Sequence, residues 1–250
     1  NMKKQAVRFG AELKMAHLSS VDLTKRPIAL TIGSEMIHTR TLIIASGASA
    51  RWLNLPSEQA LIGYGVSSCA TCDGFFSSGK EIAVIGGGDS AMEEALFLTR
   101  FASKVTLINR TEKFRASKIM LERAMAHPNI KFLTSTTVEE VLGVEEKEVK
   151  GLRLKNTTSG DQYVLPVSFM FLGIGHIPNA IAFKGMMDLD PDGYILTRNN
   201  VFPTLNGEII PGVFACGDIQ DRRYRQAITA AGSGCMAALE VEKFLEDHGR

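Results

Sequence analysis

The sequence predicts an α/β protein built on parallel strands, and three observations predict it. The apolar run Glu81–Ile85 is short and ends in glycines, as a buried parallel strand does. Residues Asp89–Phe101 place apolar side chains on one helical face. A second apolar run, Lys104–Ile108, follows. Together these segments form a βαβ unit of about 30 residues.

The pattern continues after this unit. A second helix is predicted over Ser117–Ala126 and a third strand over Ile130–Leu133. A β-rich stretch then follows, with strands expected at Val149–Leu154, Tyr163–Pro166 and Phe169–Leu172.

The two flanks differ from this middle region. Short strands are expected across Leu13–Ala45, and Gly212–Cys216 predicts one strand ahead of a long helix from about Arg225 to Leu245. Neither flank is large enough to be a domain by itself. We therefore predict one discontinuous domain made of residues 1–51 and 177–250, interrupted by a second domain over residues 52–176.

Composition excludes several classes of protein. The chain has 28 Lys and Arg against 27 Asp and Glu, and 45% of its residues are apolar. A disordered chain, a collagen and a coiled-coil rod are thereby excluded. The near-zero net charge gives no reason to expect nucleic acid or an anionic membrane as a partner. The start of the sequence lacks the apolar core of a signal peptide, so we expect a cytoplasmic location.

A glycine-rich turn joins the first strand of the βαβ unit to its helix. Gly86–Ala91 has the pattern G-x-G-x-x-A. In such turns the first glycine makes the tight bend, the second lets a pyrophosphate approach, and the small third residue packs helix on strand. The phosphates then lie at the helix N-terminus. The strand and helix around the motif favour a dinucleotide site over a glycine turn without a ligand.

The end of the second strand indicates which dinucleotide would bind. NAD enzymes place Asp or Glu there for the ribose 2′-hydroxyl, but this sequence has Asn109 and Arg110. Arg110 and Arg115 would suit a 2′-phosphate, so NADPH is favoured over NADH. The alternative is that both are solvated surface arginines.

Cys69 and Cys72 form the only C-x-x-C among four cysteines. A redox role is favoured over inert thiols, and also over a zinc site, which needs a second ligand pair. Asp73 directly follows and is placed to pass a proton to a leaving thiolate, unless it only forms a turn with Gly74. Cys216 and Cys235 are expected to pack as small apolar side chains.

Several segments, in the same order and spacing, resemble the low-molecular-weight thioredoxin reductases. The similarity covers nearly the whole chain. The segments that carry it are Ile44–Ala48, Cys69–Gly74, Gly86–Glu94, Gly175–Asn179, Gly212–Asp218 and Tyr224–Ala227.

The resemblance implies a fold of the pyridine nucleotide-disulfide oxidoreductase type, with two Rossmann-like, three-layer ββα domains. It implies that hydride passes from NADPH to FAD and that the flavin then reduces the Cys69–Cys72 disulfide. Cys72 would face the flavin, Cys69 would attack thioredoxin and Asp73 would donate the proton. A homodimer is also implied. Cofactor contacts are implied for Gly47, Gly86, Gly88, Asp89, Ser90, Ala91, Arg110, Arg115, His176, Gly217, Asp218, Arg225, Gln226 and Ala227.

The sequence departs from the family pattern in two places. The family has a basic run, His-Arg-Arg, where this chain has Asn109-Arg110-Thr111. Family members also begin with a βαβ unit whose G-x-G-x-x-G binds the ADP part of FAD, and Gly86–Ala91 is the one strong dinucleotide fingerprint here. We therefore expect the flavin domain to be N-terminally incomplete.

Two other functions stay open at this point. The chain is alternatively a truncated relative that binds NADPH without flavin activity. It is otherwise another flavoprotein disulfide reductase, such as one that reduces a peroxiredoxin, although the Ala70-Thr71 interior of the cysteine motif argues against this.

Overall fold

The computed structural model describes residues 2–249. The chain divides into two compact units, with boundaries between Ser49 and Ala50 and between His176 and Ile177. The middle unit is continuous, whereas the flanking unit is made from both ends of the chain. Each unit is described by itself below.

The N-terminal part of the flanking unit contains one short helix and small strands. These elements are α1 (Met2–Arg8), β1 (Leu18–Asp22), β2 (Ile28–Ile32), β3 (Glu35–Thr39), β4 (Leu42–Ile44) and β5 (Ala48–Ala50).

The middle unit follows with helices and strands in alternation and then a run of strands. Its elements are α2 (Pro56–Ala60), β6 (Val66–Ser67), α3 (Ala70–Asp73), β7 (Glu81–Ile85), α4 (Asp89–Leu98), β8 (Lys104–Ile108), α5 (Lys118–Met125), β9 (Ile130–Leu133), β10 (Thr136–Leu142), β11 (Gly151–Asn156), β12 (Gln162–Leu165) and β13 (Phe169–Leu172).

The C-terminal part of the chain completes the flanking unit. It contains β14 (His176–Pro178), β15 (Thr197–Arg198), β16 (Phe202–Leu205), β17 (Glu208–Ile209), β18 (Val213–Ala215) and α6 (Ala227–Asp247).

A five-stranded parallel sheet is the centre of the middle unit, in the order β6-β13-β7-β8-β9. Strands β10, β11 and β12 form a separate antiparallel sheet. Successive side chains of a strand point to opposite faces of the sheet, so each parallel strand contributes side chains to two hydrophobic cores.

The two cores of the middle unit show how its layers are stacked. On one face, Ala83 and Ile85 of β7 pack with the antiparallel sheet, including Val141 and Leu152. On the other face, Ile82 and Val84 pack with side chains of α4 and α5. The layers are therefore sheet, sheet and helices, which confirms the predicted three-layer ββα arrangement.

The flanking unit is built around a parallel pair, β4 with β18, in which Ile44 lies opposite Ala215. Strands β1–β3 form an antiparallel meander, and β15–β17 form a second one. Ile44, Val213 and Ala215 lie in a common core with Ile28 of β2.

The structure differs from the sequence-based expectations at several elements. Helix α4 ends at Leu98 rather than Phe101, and the Thr99 hydroxyl donates to the Leu96 carbonyl where the helix stops. Strand β10 and helix α1 were not predicted, and neither were the short elements α2, α3, β5, β6 and β14–β17.

The expectation that Cys235 packs inside is wrong, whereas Cys216 is buried as predicted. Helix α6 buries Ala237, and a residue two positions away lies about 200° around the helix. Cys235 is therefore exposed on the opposite face.

The chain passes from one unit to the other within β5 and again within β14, and these two strands pair with each other. None of the helices between Met2 and Gly249 combines the length and apolar character that a membrane crossing requires.

Candidate redox and nucleotide-binding site

The glycine-rich turn lies where the strand order of the parallel sheet reverses. Strand β7 has β8 on one side and β13, which comes last in the chain, on the other. Ligands of open parallel sheets bind beyond the carboxyl ends of the strands at such a switch point. The turn Gly86–Gly88 directly follows β7 and therefore lies at the expected position of a dinucleotide.

Close packing explains Gly86 in this turn and Gly173 at the end of β13. Gly86 has a φ of 147°, and a Cβ there would lie 2.5 Å from the carbonyl oxygen of Gly173. A Cβ on Gly173 would lie 2.6 Å from the Cα of Ala91, which is fully buried. Helix α4 thus approaches β7 and the end of β13 closely enough that Gly86, Ala91 and Gly173 must all be small.

Gly88 has a different environment. A Cβ built on Gly88 would meet no atom within 4 Å. The space lies at the N-terminus of α4, where Asp89 and Ser90 form the first turn. Free N–H groups and the helix dipole favour an anion there. The residues present therefore fit the phosphates of a dinucleotide.

The loop after β8 is fastened to the glycine turn. The backbone N–H groups of Arg115 and Ala116 donate to the Gly87 carbonyl oxygen at 2.7 and 3.0 Å. The Ser117 N–H donates to Asp89 Oδ1 at 2.7 Å. The predicted cofactor residue Asp89 thus tethers the start of α5. Arg110 and Arg115 are both exposed beside this loop.

Asn109 lies where NAD enzymes have an acidic residue, and its side chain makes hydrogen bonds within the loop that follows it. Its side-chain Nδ2 donates to the carbonyl oxygens of Thr111 and Lys113 at 2.8 and 3.1 Å. Asn109 is buried, and its side chain occupies the space beside Gly87. This amide shapes the segment that carries Arg110 and Arg115.

Cys69 and Cys72 form a disulfide across the short helix α3. Cys69 is half-buried, whereas Cys72 is exposed. The Cys72 N–H donates to Cys69 Sγ at 3.2 Å, so a thiolate on Cys69 would be stabilised. The structure therefore pairs the two cysteines that the sequence predicted as the redox pair.

Asp73 is held by a residue that the sequence analysis did not single out. The hydroxyl of Ser67 donates to Asp73 Oδ2 at 2.6 Å and accepts the N–H of Cys69 at 3.0 Å. In the sequence, the contact is marked only by a serine two positions before Cys69, which does not by itself predict a hydrogen bond to Asp73.

The other predicted cofactor residues lie in the flanking unit, except for His176, which is half-buried at the start of β14 and is the last residue of the middle unit. Gly47 and Gly217 both follow the parallel strands β4 and β18 at their carboxyl ends, and both have positive φ. The Gly217 N–H donates to the Ser233 hydroxyl of α6 at 2.9 Å. Burial raises the pKa of the adjacent Asp218, and nearby Asp221 adds to the effect.

The segment before α6 is organised by Asp221, another residue that the sequence analysis missed. Its carboxylate accepts the N–H groups of Arg223, Tyr224 and Arg225 at 3.0, 2.8 and 3.0 Å. It also accepts the hydroxyl of Thr229 at 3.1 Å. Burial alone would raise the pKa of Asp221, but these hydrogen bonds outweigh it and lower the pKa.

This arrangement fits one end of a flavin. Arg225 has a φ of 48°, which turns the chain into the N-terminus of α6 at Gln226 and Ala227. The positive end of a 21-residue helix suits a reduced, anionic ring. Asp218 follows Gly217 at the same edge of the strand pair and would hold a polyol chain through its carboxylate.

Comparison with known proteins agrees with this geometry. The sequence profile of the family described as pyridine nucleotide-disulphide oxidoreductase matches residues 3–234. The chain is 52% identical to the bifunctional thioredoxin reductase/thioredoxin of Mycobacterium leprae over 99% of its own length, and it spans about half (53%) of that protein. It is 48% identical to the thioredoxin reductase of Mycolicibacterium smegmatis, covering 98% of this chain and 77% of the relative.

Solved structures give the same result. The thioredoxin reductase of Giardia duodenalis superposes with a TM-score of 0.91 at 38% identity, over 98% of this chain and 79% of that one. The resemblance found in the sequence and the predicted fold class are thereby confirmed. This chain belongs to the pyridine nucleotide-disulphide oxidoreductase family and, within it, to the thioredoxin reductases.

Proposed function

We propose that this chain carries the NADPH-binding and disulfide-reducing parts of a thioredoxin-disulfide reductase. In the net reaction, NADPH and one proton reduce the disulfide of thioredoxin to two thiols, and NADP⁺ is released. The observation that carries the proposal is the Cys69–Cys72 disulfide, with Asp73 beside it, in the same unit as a dinucleotide turn.

The middle unit would bind NADPH. The phosphates would lie on Gly86, Gly88, Asp89, Ser90 and Ala91, and the 2′-phosphate would meet the guanidinium groups of Arg110 and Arg115. Both arginines are exposed and stand on the loop that the Gly87 carbonyl fastens to the turn. His176 would contribute on the nicotinamide side.

The flanking unit would bind FAD through Gly47, Gly217, Asp218, Arg225, Gln226 and Ala227. When bound, the flavin supplies the hydride-accepting and electron-transferring chemistry between the nicotinamide and the disulfide. The chain's own part is to orient the ring at the α6 N-terminus and to place Asp218 on the polyol chain.

The cysteine pair would deliver the electrons to thioredoxin. Cys69, whose sulfur accepts the Cys72 N–H, would attack the thioredoxin disulfide and form a mixed disulfide. Cys72 would then attack Cys69 and release reduced thioredoxin, while Asp73 would protonate the leaving thiolate. Phe75 and Phe76 are 71% and 65% exposed next to the pair and offer an apolar surface to a protein substrate.

The test traps the proposed mixed disulfide. Cys72→Ser leaves Cys69 without its partner, so it should accumulate a covalent complex with a thioredoxin whose second active-site cysteine is Ser and whose first is activated as a mixed disulfide with thionitrobenzoate. Cys69 then displaces thionitrobenzoate, which leaves, and dithiothreitol releases the thioredoxin from the complex. Cys69→Ser should give much less of this complex. Denaturing, non-reducing electrophoresis and intact mass measure it. Equal trapping by both variants, or none by either, would contradict the assigned roles.

Two further proposals concern assembly and location. Helix α6 exposes Ile228 and Leu239, which supports a homodimer, and sedimentation analysis tests it. Cys216 and Cys235 are free thiols, which supports a reducing compartment such as the cytoplasm, and cell fractionation tests that.

A further inference from the structure

Ser67 forms hydrogen bonds to both ends of helix α3: to Cys69, which precedes the helix, and to Asp73, its last residue. It is buried on β6, opposite Phe171 of β13, so its backbone is fixed by the parallel sheet. Its hydroxyl accepts the Cys69 N–H at 3.0 Å and donates to Asp73 Oδ2 at 2.6 Å. One oxygen atom therefore fastens both sides of the C-x-x-C segment to the sheet.

A serine that only stabilises a turn behaves differently, and the same segment contains an example. Ser77 is fully buried, and its hydroxyl donates to the backbone carbonyl of Gly74 at 2.7 Å. Ser67 instead donates to a carboxylate, which makes a charge-assisted and stronger hydrogen bond. The carboxylate is that of Asp73, the acid assigned to the leaving thiolate.

We infer that Ser67 is a positioning residue for thiol–disulfide exchange, holding the Asp73 carboxylate at a fixed place relative to Cys69. The bond restrains rotation of the Asp73 side chain, which directly follows Cys72 in the chain. Without the hydroxyl, the carboxylate would rotate freely and spend less time within reach of the departing thiolate. The inference rests on the proposed function, because it takes Asp73 as the proton donor.

The experiment measures reduction of the Cys69–Cys72 disulfide by dithiothreitol in the 250-residue chain, with no nucleotide, flavin or thioredoxin present. Dithiothreitol supplies two electrons and becomes a cyclic disulfide, and both protein sulfurs end as thiols. Acid quenching, alkylation and mass measurement give the rate constant. The variants are Ser67→Ala, Ser67→Thr, Asp73→Asn, the double variant Ser67→Ala/Asp73→Asn, and Ser77→Ala as matched control.

Ser67→Ala and Asp73→Asn should each slow reduction by roughly tenfold, as expected for losing one charge-assisted hydrogen bond. Ser67→Thr keeps the hydroxyl on a strand that suits a β-branched residue, so it should restore the rate. Ser77→Ala should stay within about twofold of the parent, since it loses a buried hydrogen bond without touching Asp73.

The double variant separates positioning from a merely structural role. If Ser67 acts through Asp73, the double variant should be no slower than Asp73→Asn alone. Effects that multiply, or a parent-like rate for Ser67→Ala, would overturn the inference. Thermal melting and NADPH affinity report folding, and Ser67→Thr carries the test if Ser67→Ala unfolds.

Failure of the inference differs from failure of the proposed function. If Asp73→Asn is slow and Ser67→Ala is not, only the positioning role falls. If Asp73→Asn reacts at the parent rate, the proton-donor role of Asp73 falls together with the positioning role of Ser67. The disulfide-reductase function itself fails only if the mixed-disulfide trap fails.

Discussion

Gly173 and Ala91 meet with no room for another carbon atom. The Gly173 Cβ position lies 2.6 Å from Ala91 Cα and 2.9 Å from its Cβ, and both nearest atoms belong to a helix that cannot move without leaving β7. This contact sets the distance between α4 and the parallel sheet. It therefore also sets the place of the α4 N-terminus, where the nucleotide phosphates are proposed to lie.

Gly173→Ala should destabilise the middle unit. The added methyl group would push α4 away from β7 and β13, and such overpacking costs roughly 1–3 kcal/mol. NADPH affinity should fall as well, because the helix N-terminus moves with the helix. Urea unfolding and calorimetric titration measure the two effects. An unchanged unfolding midpoint would show that the helix shifts at no cost.

Gly88→Ala should separate folding from binding. Its Cβ would meet no protein atom within 4 Å, and its φ of −102° suits any residue. We expect an unfolding midpoint close to the parent value but clearly weaker NADPH binding, because the methyl group would enter the space assigned to the pyrophosphate. Retained affinity would place the phosphates elsewhere.

Arg110→Ala and Arg115→Ala should weaken NADPH binding much more than NADH binding. Losing a charge-assisted contact to the 2′-phosphate is worth on the order of tenfold to a hundredfold. Arg123→Ala, an exposed arginine on α5, is the matched control and should bind both nucleotides as the parent does. Equal losses for NADPH and NADH would mean that neither arginine contacts that phosphate.

Asp221→Asn should change how stability depends on pH. The folded state lowers the pKa of Asp221 below its usual value of 3.8, so its carboxylate stabilises the fold above that pH. The stabilisation is lost as pH falls through the lowered folded-state pKa. The parent should therefore melt higher than Asp221→Asn at neutral pH, and the two should converge in acid. Thermal melting between pH 3 and 7 checks this; a pH-independent gap would contradict it.

The 250-residue chain should bind FAD weakly by itself. In such folds the FAD pyrophosphate is held by a glycine-rich loop and helix N-terminus, and the one strong fingerprint in this sequence is Gly86–Ala91. Residues 52–176 alone should fold and bind NADPH, because their two cores are complete. Separate titrations with FAD and NADPH measure this, and tight FAD binding would show that Asp218 and Arg225–Ala227 suffice.

Strands β7, β8, β9 and β13 of the parallel sheet were predicted to the residue from their apolar runs, whereas the two-residue strand β6 was not predicted. Glu81–Ile85, Lys104–Ile108 and Phe169–Leu172 are examples of such runs. Strand β10 was missed because Glu139 and Glu140 interrupt its alternation, where the register shifts between Val138 and Glu140.

The site was predictable only where a motif carries the chemistry. The cysteine pair and the glycine turn have fixed spacing, so sequence alone located them. Ser67 and Asp221 were missed because their roles depend on which atoms folding brings within 3.1 Å, and an isolated Ser or Asp has no such signature. The sequence analysis used Asn109 only as the residue that stands in place of an acid. It did not predict the hydrogen bonds by which Asn109 shapes the following loop.

The pairing of β5 with β14 has a consequence for how such a chain can be rearranged. The Arg51 N–H donates to the Gly175 carbonyl oxygen at 3.0 Å, so the middle unit begins and ends at almost the same point. A segment whose ends already meet adds little closure entropy to the polypeptide that hosts it. Residues 51–175 therefore have the geometry of an inserted domain. A short peptide joining their ends would permit circular permutation, and a related domain could be inserted at the same two positions of the chain.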